Sequence, residues 1–123
     1  MLDATDPEVV KLCLDTGHAV VGGGDPAELA RTAGARIAHL HLKDVDPAVL
    51  ARVRSRELTV ERAWEEGLFC PFGEGAVDFA AVLTALDGYE GWAVVEQDRV
   101  AVRLEDVETV RAVEERNLAV LAR

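Results

Sequence analysis

Three short apolar runs, separated by stretches that carry helix signals, constrain this chain more than anything else in it. The runs are Leu12-Cys13-Leu14, ending at Asp15; Ile37 to Leu42; and Trp92 to Val95, ending at Glu96. Alternation of this kind specifies repeated strand–helix units and a parallel sheet rather than an all-helical or all-strand domain.

The helix signals are local chemistry. Asp25-Pro26-Ala27-Glu28 sets an N-cap acid, a proline at the first helical position and a glutamate three residues after the cap. A helix therefore starts there, continues through Leu29 and Ala33 and stops at Gly34. Asp46-Pro47 opens a segment with Val49, Leu50 and Val53, and Thr59 precedes a second short helical segment containing Trp64. After a turn at Pro71-Phe72-Gly73-Glu74-Gly75, Asp78 caps a helix carrying Phe79, Val82, Leu83 and Leu86, ended by Gly88. Leu104, Val107, Val110, Val113, Leu118 and Leu121 fall at helical spacing and predict a closing C-terminal helix. The connection from the second run to Asp78 is long, as in substrate-facing insertions and lids.

A formal net charge of −10 would repel nucleic acid and anionic membranes over most of the surface. The one basic cluster, Arg52, Arg54 and Arg56, reads as a solvated helix face, interleaved with Val53 and followed by Glu57. No apolar run approaches the ~20 residues that span a bilayer. Met-Leu-Asp-Ala-Thr-Asp-Pro at the start has neither the basic end nor the apolar stretch of a signal peptide, so a soluble, cytoplasmic protein is expected. Without a CxxC pair, Cys13 and Cys70 are expected to be reduced, Cys13 as a small core residue and Cys70 in a loop-like segment.

Alternate side chains of a strand point to opposite faces, so His39, His41 and Lys43 share one face while Ala38, Leu40 and Leu42 share the other. Strands of parallel sheets are normally apolar on both faces because helices cover them. Three cationic or titratable groups on one face therefore require a polar cavity, a metal or solvent. Taken singly, each polar residue has a plain structural alternative. His39 and His41 read as satisfied core histidines, Lys43 as a snorkelling strand-end lysine, and His18 as a loop histidine bonded to backbone. Asp15 reads as a turn former before Gly17, and Glu96 as an exposed strand-end acid. Taken together they read differently, because in β/α barrels catalytic groups converge from the carboxyl ends of several strands. The expectation is that Asp15, His41 and Glu96 meet. Oxygen and nitrogen donors without thiolate suit a divalent ion such as Mn²⁺, Co²⁺ or Mg²⁺, with Zn²⁺ a poorer match. Gly22, Gly23 and Gly24 offer either an anion site at a helix amino end or a flexible loop; they match no phosphate-loop fingerprint, and Asp25 would repel a phosphate.

Leu-Asp-Thr-Gly-His at 14–18, His-Leu-His-Leu-Lys-Asp at 39–44 and Val-Val-Glu-Gln-Asp at 94–98 together resemble the C-terminal part of the xylose-isomerase-like barrel superfamily of sugar isomerases and epimerases. Within it, three further stretches are similar to the inosose dehydratases, lyases of myo-inositol catabolism. These are Lys43-Asp44-Val45 leading into Ala51-Arg52-Val53-Arg54, Gly-Glu-Gly-Ala-Val-Asp-Phe at 73–79, and Tyr89-Glu90-Gly91-Trp92. The likeness covers nearly the whole chain.

The resemblance implies an α/β fold, a partial (β/α) TIM barrel made of its last three strand–helix units. All 123 residues would form this one C-terminal portion, about half of the ~250 residues of a complete barrel. It implies a metal held by a glutamate, an aspartate, a histidine and a second glutamate from four successive strand ends. Asp15, His41 and Glu96 match the last three, and the first glutamate belongs to an earlier strand, Glu8 reading as part of a helical turn after Asp6-Pro7. The substrate implied is a keto-polyol or keto-sugar. A metal would bridge its carbonyl and neighbouring hydroxyl, a carboxylate would remove the adjacent proton, and a general acid would help the β-hydroxyl leave as water. An isomerase or epimerase would share the first step. Glu96 is expected to combine metal binding with proton transfer, His18 and Lys43 to take part in catalysis by orienting substrate oxygens, and His39 to bind substrate beside them. The alternative is a catalytically incomplete remnant or interaction module. A partial barrel would leave sheet edges and inner surface uncovered, so self-association or pairing with a missing N-terminal half-barrel is expected.

Overall fold

The computed structural model describes residues 2–98 and 106–122. After a short 3₁₀ turn at Leu2–Ala4, the chain runs β1 (Leu12–Asp15), α1 (Thr16–Val21), α2 (Pro26–Ala33), β2 (Ile37–Leu42) and β3 (Asp44–Val45). It continues through α3 (Pro47–Arg54), α4 (Val60–Glu65), β4 (Phe69–Cys70), α5 (Phe79–Ala85), β5 (Trp92–Val95) and α6 (Asp106–Leu121). The three apolar runs are the three strands of a parallel sheet in the order β1-β2-β5. Among the described residues this sheet does not close into a barrel.

Register decides what the sheet presents. Asp15 lies beside His41 and His41 beside Val94; one row earlier, Cys13, His39 and Trp92 line up. A shift between Leu12 and Cys13 brings β1 into this alignment. Paired residues share a face, so the strand-end acids arrive on the side that carries His39, His41 and Lys43. Leu14, Leu40 and Leu42 turn the other way and are buried with Ala27 and Ala30 of α2, Phe79 and Val82 of α5, and Phe72 and Val77 from the turn before it. Phe72 and Phe79 stack, with ring centroids 4.3 Å apart.

The helix starts follow cap chemistry. Asp25 accepts hydrogen bonds from the N–H groups of Ala27 and Glu28, Asp46 from Ala48 and Val49, and Asp78 from Ala81. Because the carboxylate of Asp25 takes those N–H groups, the glycines 22–24 lead into an occupied helix end rather than an anion site. One helix departs from the expected pattern. Thr16–Val21 is helical, with Asp15 as its cap, where a turn or loop would be read from the sequence.

The long connection after β2 has its own small core, built from Val45, Leu50, Leu58, Ala63, Leu68 and Phe69 and closed by antiparallel pairing of β3 with β4. Cys70, expected in a loop, is therefore buried in a strand, whereas Cys13, expected in the core, is exposed on the polar face of the sheet. The alternation that turns Leu14 inward turns Cys13 out. Arg52 is no open basic patch: it pairs with Glu57 at 2.8 Å and with Glu66. In α6, Val113 and Asn117 are buried while Val107 and Leu118 stay exposed, so a polar residue takes a place that apolar spacing would assign to leucine. Leu104, counted in the expected stripe, lies outside the described residues. Among the described residues no helix is long and apolar enough to cross a membrane.

Asp44 joins the two cores. Its side chain is fully buried and accepts from Val45 N and Val77 N through Oδ1 and from Gly73 N and Gly75 N through Oδ2, at 2.9 to 3.1 Å. The backbone at Gly75 passes so close that a β-carbon there would overlap the carboxylate. Hydrogen bonds to a charged acceptor are the strong ones, and removing this acceptor would leave four N–H groups without it. Asp44→Ala should therefore lower the unfolding free energy by about 3 kcal/mol or more in urea denaturation. A loss below about 1 kcal/mol would mean that the turn holds itself.

Candidate metal centre

The segment Asp15-Thr16-Gly17-His18 builds one side of the site, with a separate task for each residue. Asp15 ends β1, and its Oδ1 accepts from His18 N at 2.8 Å, which caps α1 and leaves Oδ2 facing β2. Fully buried Thr16 replaces the ladder where β2 ends: its hydroxyl donates to the carbonyl of Lys43 at 2.7 Å and accepts from Lys43 N at 2.8 Å. Gly17 gives the stem of Lys43 room, since a β-carbon there would lie 2.9 Å from Lys43 Cγ. His18 stands at the rim, half exposed, with Nε2 3.9 Å from Asp15 Oδ2 and its ring edge-on to Phe69.

The other side comes from β5. Glu96 N donates to Leu42 O at 2.9 Å, carrying the pairing one residue past the strand. Gln97 then turns away, donating to Phe69 O and accepting from Asn117, both at 3.4 Å. Alternation returns Asp98 to the side of Glu96.

These placements converge. His41 Nδ1 is 3.2 Å from Glu96 Oε2 and 3.8 Å from Asp15 Oδ2. Asp15, His41 and Glu96 each offer one ligand atom, and all three atoms lie within 4.8 Å of one another. Two carboxylates and an imidazole so arranged fit a hard or borderline divalent cation. Lys43, only 3% exposed, brings its ammonium to 2.9 Å from Asp98 Oδ2, 3.1 Å from Glu96 Oε2 and 3.3 Å from Asp15 Oδ2, over the Phe69 ring. Burial alone would lower its pKa, but Asp98, Asp15 and Glu96 outweigh that and raise it, so the ammonium stays charged. His39 sits one row further from the strand ends, its ring edge-on to His41 at 5.2 Å.

Neither thiol belongs to the Asp15, His41 and Glu96 group. Desolvation by its neighbours, then Asp15 and Glu96, push the Cys13 thiol up, and burial followed by Asp44 and Asp46 pushes Cys70 up to about 12. A hollow of about 430 Å³ lies around Ile37, Ala38, Leu86 and Tyr89, near the opposite ends of the strands, and contains none of the residues named above for the centre.

Of the residues singled out from sequence, Asp15, His41, Glu96, Lys43 and His18 come together and His39 lies beneath them. Asp98 joins them without having been singled out, although its spacing of two from Glu96 marks the same side. Thr16 acts through the backbone of Lys43, and Asn117 through Phe72 N and the side chain of Gln97; these partners are distant in sequence, and no local pattern marks either residue.

The family model described as xylose isomerase-like TIM barrel matches residues 1–116 of this chain. The chain belongs to the xylose isomerase-like TIM barrel family. An inosose dehydratase of Geobacillus thermodenitrificans is 42% identical over 101 residues, which are 80% of this chain and 34% of that protein. One from Bacillus cereus is 40% identical and one from Clostridium botulinum 34%, each with the same shares covered. The chain thus spans about a third of the length of the curated relatives it matches. As a xylose isomerase-like TIM barrel chain, it carries Asp15, His41 and Glu96 at the carboxyl ends of parallel strands, the end where such barrels hold their active sites.

Thr16→Val keeps the shape but removes both hydroxyl bonds, leaving a buried donor and acceptor on Lys43 unpaired. It should cost about 2 kcal/mol in chemical denaturation, whereas Thr16→Ser should stay close to the parent protein. Equal stability of the valine and serine variants would refute the hydroxyl's role.

Proposed function

We propose that Asp15, His41 and Glu96 hold one divalent ion, Mn²⁺ or Co²⁺ by preference, in a barrel lyase that dehydrates a keto-polyol of the inosose type. The observation that carries this reading is the approach of their three ligand atoms within 4.8 Å at the ends of adjacent strands. The similarity to proteins named inosose dehydratase supports the choice of reaction. In this reading the chain is the C-terminal portion of a barrel, and further strand–helix units supply a glutamate ligand and cover the row of Cys13, His39 and Trp92.

When bound, the ion supplies Lewis acidity towards a carbonyl and its neighbouring hydroxyl. Glu96 takes the proton from the carbon beside that carbonyl. The electron pair left behind forms the new double bond as the β-hydroxyl departs, and a general acid donates the proton that makes it water, while His18 at the rim orients substrate oxygens. Lys43 donates hydrogen bonds to substrate oxygens. His39 closes the floor beneath His41.

After Mn²⁺ loading and desalting, elemental analysis should find bound metal in the parent protein and none in His41→Ala. The same metal content in both would remove the ligand assignment. Offered inosose, the complete barrel loaded with Mn²⁺ should release water from it, and a chelator should stop the reaction. Interconversion of ketose epimers without water loss would instead make it an epimerase.

A further inference from the structure

The oxygens of Asp15 and Glu96 that approach His41 are the same oxygens that Lys43 holds. Asp15 Oδ2 and Glu96 Oε2 lie 3.8 and 3.2 Å from His41 Nδ1 and 3.3 and 3.1 Å from Lys43 Nζ. A cation held by Asp15, His41 and Glu96 would therefore share two of its ligands with an ammonium that is almost wholly buried. Two positive centres that close repel each other strongly unless further negative charge stands beside one of them. Asp98 stands there. Among the described residues its Oδ2 makes the shortest contact to Lys43 Nζ, 2.9 Å, and it is the one carboxylate around the ammonium outside the Asp15, His41 and Glu96 group. Among this chain's own described residues the formal charges close as well: three carboxylates balance one ammonium and one dication.

Resting on the metal reading above, we propose that Asp98 is a positioning residue that anchors Lys43, so that a divalent cation can take Asp15 and Glu96 without competition from the ammonium. Gln97 keeps Asp98 in place by turning the chain between Glu96 and Asp98 into the socket formed by Asn117 and the Phe69 carbonyl. Gly17 makes room for the stem of Lys43 and Thr16 holds its backbone, which together let the ammonium reach these three acids.

The test is isothermal titration of the full chain with Mn²⁺, on the parent protein, Asp98→Asn, Asp98→Glu, Lys43→Met and the double variant Asp98→Asn with Lys43→Met. Asp98→Asn should weaken binding by about tenfold, the scale on which a neighbouring charge acts at this range. Asp98→Glu, which keeps the charge, should retain most of the affinity. In the Lys43→Met background the Asp98→Asn change should lose most of its effect, because no ammonium remains to compete. Unchanged affinity in Asp98→Asn would overturn the proposal. So would an equal loss in both backgrounds, which would make Asp98 act on the cation directly. No Mn²⁺ binding by the parent protein would remove the metal reading itself, and this inference with it.

Discussion

Register between the parallel strands is the constraint from which the site follows. Asp15, His41 and Glu96 come from positions far apart in sequence, and they share one face and one end of the sheet because β1, β2 and β5 align in the rows observed. A slip of one residue in any strand would send its strand-end group to the face covered by helices, where Leu14, Leu40 and Leu42 now pack. The apolar core and the polar cluster are thus two outcomes of one alignment. Burial of the leucines stabilises the register, and the register gathers the acids.

The second constraint is electrostatic. Lys43 is nearly as buried as the leucines, and an isolated ammonium so placed would lose several kcal/mol of solvation. Asp15, Glu96 and Asp98 make the burial tolerable, and the Phe69 ring adds a favourable face. Each acid is in turn fixed by something outside the cluster. Asp15 is held by the helix it caps, Glu96 by the ladder to Leu42, and Asp98 by the outward turn of Gln97. Such support keeps like charges close together without a large search of rotamers, a precondition for ordered ligands.

Much of this architecture is legible in the amino-acid sequence. The strands are readable because each is a short apolar run that stops at a polar residue, and the starts of α2, α3 and α5 because cap chemistry is local. The three candidate ligands follow from strand ends and alternation alone. Other features depend on contacts that sequence spacing does not encode. Helix α1 forms although Asp-Thr-Gly reads as a turn, since Asp15 caps it and Thr16 is anchored to Lys43. The β3–β4 pair is too short to show a period and is held by the bonds of Asp44. Cys13 departs from its expected core position because an apolar run hides which of its members faces the acids. Asn117 is buried where spacing points to leucine, because it hydrogen-bonds to Phe72 N and Gln97.

The central claim is that Asp15, His41 and Glu96 share a single cation. Anomalous X-ray diffraction from crystals of this protein grown with Mn²⁺ tests it most directly. The account predicts one strong anomalous peak within bonding distance of Asp15, His41 and Glu96, with the ammonium of Lys43 still against Asp98. A peak bound elsewhere on the chain, or no peak at saturating Mn²⁺, would contradict it.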